Sequence, residues 1–233
     1  MASHQPGPCC AQGFKHEGKP TGQIQDIDGT QVYFALPKGD VKPDQAILYI
    51  TDIMGIYNNS QLLADAFAAN GYLTIIPDLF AGKPWKLNAG FEGLMDWIKG
   101  YSTDVVDPII ASAIKYLREK KGIKKIAAVG YCFGGKYVCR FLKEGQIDVG
   151  YTAHPSFVDP EELAGIETDT IFPSEKRHES EEILQKTGLP YQINLFSGVE
   201  HGFAVRGDLD SRPVTFAREQ AFTQAATWIK WHL

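Results

Sequence analysis

Gly130-Tyr131-Cys132-Phe133-Gly134-Gly135 sets a cysteine at the centre of a glycine-flanked turn. The apolar run Lys125-Ile126-Ala127-Ala128-Val129 precedes it, and an amphipathic stretch from Lys136 to Glu144 follows. Strand, sharp turn and helix is the setting that a nucleophile elbow requires. Small flanking residues let strand and helix approach each other, and the positive end of the helix dipole favours thiolate over thiol. A second group, Val199-Glu200-His201-Gly202-Phe203, follows the apolar run Tyr191–Phe196 and precedes the last helical pattern. A histidine after the last strand, downstream of the nucleophile, is placed to act as general base. Thiol and imidazole together point to attack on a carbonyl carbon, the chemistry of acyl transfer. The plain alternatives are a buried cysteine behind a tight turn and a loop histidine. The double glycine and the joint occurrence of both motifs favour the catalytic reading.

These side chains need a scaffold, and the hydrophobic pattern supplies one. Asp28-Gly29 separates two short strand-like runs and signals an opening hairpin. Ala46–Thr51, Tyr72–Ile76, Lys125–Val129, Val149–Ala153 and Tyr191–Phe196 read as buried strands. Helical periodicity runs through Ser60–Asn70, Phe91–Lys99, Thr103–Lys121, Glu175–Thr187 and Thr215–His232, with Gly71, Gly122 and Gly188 as stops. A hairpin followed by alternating strands and helices predicts an α/β fold, a mostly parallel central sheet with helices on both faces. The 233 residues suit one domain over 1–233 with a sizeable core. Hydrophobic residues make up 44% and charged residues 22%, the balance of an ordinary globular chain. A net charge of −5 without a basic block argues against nucleic acid or an anionic membrane as partner. The first residues lack an apolar signal core, and four cysteines are too few for a disulfide scaffold, so a reduced, cytoplasmic setting is expected.

With these motifs in place the chain resembles the dienelactone hydrolase family of α/β-hydrolases, and its fungal branch more than its bacterial one. The resemblance rests on Thr51-Asp52-Ile53-Met54-Gly55-Ile56, Pro77-Asp78-Leu79-Phe80, the Cys132 turn, His154-Pro155-Ser156-Phe157 and His201-Gly202-Phe203-Ala204-Val205-Arg206. It implies a Cys-Asp-His triad of Cys132, Asp169 and His201 acting on a lactone or small ester, without cofactor or metal. Thioesterase or carboxylesterase chemistry and a non-catalytic binding protein are the alternatives. The resemblance further implies an oxyanion hole from the backbone N–H groups of Ile53 and Phe133. Asp52 stands where bacterial members carry a thiol-gating glutamate. Gly82 stands where they carry one arginine of a carboxylate clamp; Arg206 matches the other, with Lys83 as a point-charge substitute. Trp85 is expected to line an apolar substrate pocket. The family also has a strand before the acid. Phe157–Asp169 holds no apolar run of about five residues, a usual strand length, so the sheet is expected to lack this strand and activity to suffer.

Several residues are set aside. Cys139 lies on the helix after Cys132 and is expected in the core. Cys9 and Cys10, with His4 and His16 nearby, suggest a metal only weakly, because adjacent cysteines lack the usual ligand spacing. Trp228 and Trp231 read as core of the last helix.

Overall fold

A computed structural model describes residues 7–39, 43–159, 161–162, 174–196 and 198–233. Six strands form one sheet: β1 (Gln23–Ile27), β2 (Thr30–Ala35), β3 (Gln45–Ile50), β4 (Leu73–Pro77), β5 (Lys125–Tyr131) and β6 (Val149–Ala153). Their order across the sheet is β1-β2-β4-β3-β5-β6. The hairpin β1–β2 and the pair β2–β4 are antiparallel. β3 is parallel to β4 and β5, and β5 is parallel to β6. The expected mostly parallel sheet is borne out, and its strand order is that of an α/β-hydrolase.

Both faces are covered. The helices are α1 (Asn58–Ala69), α2 (Leu94–Ile98), α3 (Thr103–Lys115), α4 (Phe133–Phe141), α5 (Ser174–Thr187), α6 (Phe203–Arg206) and α7 (Arg212–His232). β3 shows why two layers are needed: Ala46, Leu48 and Ile50 point to one face, Ile47 and Tyr49 to the other, and all are buried. The first face packs on α2, α3 and α4, the second on α1, α6 and α7. In α7 the buried residues Ala217, Ala221, Ala225 and Ile229 recur every fourth position and form one narrow stripe. Each large apolar side chain so buried contributes about 1.5–3 kcal/mol. Among the described residues no helix is long and apolar enough to cross a membrane.

Two expectations meet the structure differently. Tyr191–Phe196 is not a strand. Its alternation puts Gln192 and Asn194 beside Tyr151 of β6 and Gln224 and Trp228 of α7, around a cavity of about 10 Å³. Leu195, on the opposite side, is 65% exposed. The run has the period of a strand, but its polar side faces the sheet and no ladder pairs it with β6 among the described residues. Trp231 is likewise 80% exposed, off the buried stripe of α7 rather than in the core. The strand expected to be missing before the acid, and Asp169 itself, lie outside the described residues.

After β6 the chain is held to α4 by charge. Lys136 Nζ donates to the Phe157 carbonyl at 2.8 Å and to Asp159 at 3.0 Å. Arg140 bridges Asp107 of α3 and Glu162 at 2.5 and 2.8 Å. This network fixes the turn that carries Ser156 towards the cysteine.

Candidate active site

Cys132 joins β5 to α4 with φ 53° and ψ −114°. A non-glycine residue in this region costs about 1–3 kcal/mol, so the surroundings must impose it. Its N–H donates to the Ala153 carbonyl at 3.2 Å, and its carbonyl accepts from Gly135 and Ser156 at 3.1 and 3.0 Å. The glycines around it are required by close approach. A Cβ on Gly130 would lie 2.5 Å from Val138 Cγ2, and one on Gly135 2.5 Å from Pro155 Cβ. A Cβ on Gly134 would run into the Ile50 carbonyl of β3. The elbow therefore forms only where β3, β5 and α4 can touch backbone to backbone.

The thiol is fully buried. Its neighbours come from three distant parts of the chain. Ser156 Oγ lies 3.7 Å from Cys132 Sγ. The Cys10 Sγ, the Cys132 Sγ and a His201 ring nitrogen all lie within 4.8 Å of one another. The adjacent Cys10 thiol, more than any other neighbour, holds the Cys132 thiol well below the usual cysteine range; burial opposes this, and His201 and Arg206 assist. The same contact, with burial, pushes the Cys10 thiol far up. The contact thus favours ionisation of Cys132 over that of Cys10. Phe133 is the first residue of α4, where an N–H has no partner within the helix. Ile53 lies in the turn directly after β3, and its carbonyl accepts from Trp85 N–H at 2.9 Å.

His201 sits in a tight turn ahead of Gly202, whose φ is 93°. Its ring faces that of His154 with centroids 4.7 Å apart. Its Nε2 is buried without a hydrogen bond among the described residues. His154 is buried too, with φ 44°. Burial, reinforced by His201 and Arg206, holds its imidazole well below 6.5 and keeps it neutral. An unfolded chain takes up a proton there below about pH 6.5 while the folded chain does not, so stability falls as pH drops below that value. The slope attributable to this group approaches about 1.4 kcal/mol per pH unit. Melting temperature followed from neutral to mildly acidic pH should fall in the native chain. The fall should be shallower in His154→Asn, whose side chain tolerates the left-handed backbone.

Asp52 and Arg206 form a pair at 2.7 Å with both side chains 1% exposed. Asp52 also accepts from the Met54 N–H at 3.0 Å and the Tyr57 hydroxyl at 3.4 Å. Burial pushes its carboxyl up against the pull of Arg206. The remaining Arg206 donors are committed to the chain itself. Nε donates to the Gln12 carbonyl at 2.9 Å, and Nη2 to the carbonyls of Cys9 and Cys10 at 3.4 and 3.3 Å. The guanidinium so ties the 3₁₀ turn Pro8–Ala11 over the thiol. Asn59 and Asn88 fasten the rest of this strap, through Phe14 at 2.8 Å and Gly13 at 3.0 Å. A cavity of about 390 Å³ opens beside the strap, lined by Cys9, Gln12, Phe14, Glu200, His201 and Arg206 among others. Lys83 is exposed. Trp85 donates from Nε1 to the Gly90 carbonyl at 3.1 Å and packs on Trp97 with ring centroids 5.6 Å apart. A second, apolar cavity of about 290 Å³ reaches Phe133, with Ile98, Tyr101, Tyr137 and Phe157 on its walls.

A sequence model of the dienelactone hydrolase family matches residues 30–233. The chain belongs to this family. Within it, the chain is 46% identical to "Hydrolase pyvD" of Aspergillus violaceofuscus over 100% of its own length and 99% of the relative's. It is 47% identical to "Hydrolase tropI" of Talaromyces stipitatus, covering 98% and 97%. "Dienlactone hydrolase 1" of Gibberella moniliformis is 32% identical, covering 97% and 93%. Among solved structures, the dienelactone hydrolase-like promiscuous phosphotriesterase P91 from metagenomic libraries superposes with a TM-score of 0.73 at 15% identity, over 92% of this chain and 99% of that one. That similarity is one of fold. The protein is a hydrolase of the dienelactone hydrolase family. Cys10, Ser156 and His154 were not assigned to the site from sequence. Only His154-Pro155-Ser156, directly after an apolar run, carried a positional signal.

Proposed function

We propose that this hydrolase opens a lactone or cleaves a small ester through Cys132, His201 and Asp169. The observation that carries the reading is a cysteine on a strained turn whose sulfur lies within 4.8 Å of the Cys10 sulfur and of a His201 ring nitrogen. As its proton passes to His201, the Cys132 sulfur attacks the carbonyl carbon, and a tetrahedral oxyanion develops. The N–H groups of Phe133 and Ile53 receive it, a stabilisation worth roughly 3–4 kcal/mol per donor in comparable sites. Collapse breaks the C–O bond, and His201 gives its proton to the leaving alkoxide. In a lactone that alkoxide stays tethered as the acyl chain's own hydroxyl or enol. His201 then takes a proton from water, which attacks the thioester and releases the carboxylate. Asp169 holds the imidazole through its other nitrogen.

Trp85 and the apolar cavity at Phe133 suit a flat, unsaturated or aromatic acyl group. Lys83, exposed beside Trp97, is the candidate cation for a substrate carboxylate. Asp52 and Arg206 act from beneath, by holding the strap and biasing the thiol. The high identity to two fungal hydrolases supports a fungal-type member acting on a comparable class of substrate. The test is acid-quenched mass spectrometry during turnover of a panel of lactones and aryl esters. An acyl adduct on the Cys132 peptide, formed and discharged at the turnover rate, is expected. An adduct on Ser156 or Cys10 instead, or turnover with no adduct on Cys132, overturns the assignment.

A further inference from the structure

The two sulfurs and one imidazole nitrogen at the centre of this molecule are a ligand set as well as a reaction centre. The contributing residues are Cys10 on the strap, Cys132 on the elbow and His201 on the loop before α6, with ligand atoms within 4.8 Å of one another. Tetrahedral zinc with Zn–S near 2.3 Å and Zn–N near 2.0–2.1 Å places its sulfurs about 3.8 Å apart and sulfur and nitrogen about 3.5 Å apart. Contraction by at most about 1 Å between the sulfurs and about 1.3 Å between each sulfur and the nitrogen therefore turns the cluster into three corners of a tetrahedron. We infer that Cys10, Cys132 and His201 form a binding site for a single soft divalent cation of the zinc type, which blocks the enzyme reversibly.

The chemistry of the donors supports this choice of metal. Two thiolates and a neutral imidazole suit zinc, cadmium or cobalt(II) and reject magnesium or calcium, which take oxygen ligands. Charge balances inside the buried site. The dication meets two thiolates, and the protons of Cys10 and of Cys132, so far as it carries one, leave to solvent. Arg206 adds no uncompensated charge, because Asp52 pairs with it. The His201 Nε2 has no competing hydrogen bond among the described residues. The strap supplies the ligand that distinguishes this site from a bare cysteine–histidine pair. Binding does not depend on the proposed hydrolysis. Its inhibitory consequence does, because the coordinated sulfur and nitrogen are the nucleophile and base of that reading.

The experiment is titration of the reduced full chain with cobalt(II), read by thiolate-to-cobalt charge-transfer absorption and tetrahedral d–d bands. One cobalt per chain, displaced by zinc, is expected. Cys10→Ser and His201→Ala should each weaken binding by at least about 100-fold, since even residues behind metal ligands are worth 10–100-fold. Cys9→Ser should leave the spectrum unchanged. Native chain alkylated at Cys132 with iodoacetamide provides a folded control and should bind no cobalt. Zinc should abolish ester turnover and EDTA should restore it. Binding that survives Cys10→Ser or alkylation of Cys132, or the absence of a charge-transfer band, overturns the site. Tight binding at this site with full hydrolysis retained would sustain the metal site while removing Cys132 and His201 from the reaction.

Discussion

Replacing Cys132 with alanine is expected to lower kcat for ester or lactone hydrolysis by about 10⁴- to 10⁶-fold, the range seen when a nucleophile is removed from a triad. His201→Ala should fall in the same range, and the double variant should be scarcely worse than either alone. Groups that act in one step lose their joint effect when the first is removed. The residual rate reports what the Phe133 and Ile53 N–H groups and substrate binding supply by themselves. Folding should separate from chemistry. Cys132 carries a positive φ that alanine relieves poorly, yet the turn is fixed by its own backbone bonds to Ala153, Gly135 and Ser156, which the substitution keeps. Circular dichroism of both variants should match the native chain. Single and double variants with multiplicative losses would show that the two residues act independently, contrary to a shared step.

Arg206→Ala should be the most damaging change outside the reacting groups. It leaves Asp52 buried without its partner, and breaking a buried ion pair on one side costs about 3–5 kcal/mol. The carbonyls of Cys9, Cys10 and Gln12 lose their donor at the same time. Urea unfolding should report the lost stability. The alkylation rate of Cys132 should report loosening of the strap, rising well before global unfolding. Asp52→Asn combined with Arg206→Met should recover part of the stability, because no charge is then left unpaired. It should not restore slow alkylation, since methionine cannot bond the three carbonyls. Unchanged stability in Arg206→Ala would mean that the pair carries no structural load.

What the sequence disclosed follows from how local each constraint is. The Cys132 turn was legible because its glycines answer to close contacts of the turn with its own helix, with β3 and with the end of β6. The sheet was legible because strands buried on both faces, such as β3, must be apolar throughout. Tyr191–Phe196 misled because period and apolarity do not reveal whether a ladder partner is present. Arg206 shows a charge in the sequence, but not that Asp52 and three carbonyls absorb it. Cys10 was passed over because its chemistry depends on Cys132 and His201, which lie far along the chain and meet it only after folding. A search for ligand spacing cannot detect ligands delivered by three separate elements.

The attachment of the strap to Arg206 joins the beginning of the chain to its end, and this orders events during synthesis. Cys10 leaves the ribosome first, the elbow with Cys132 much later, and His201 and Arg206 later still. Domains emerge from the N-terminus at the pace of translation, so the nascent chain presents Cys132 before the loop and guanidinium that help turn it into a thiolate have been made. Cys132 gains its histidine neighbour and its cover in the same late step. A stalled or truncated product then carries an uncovered cysteine, and the finished chain one buried behind a latch.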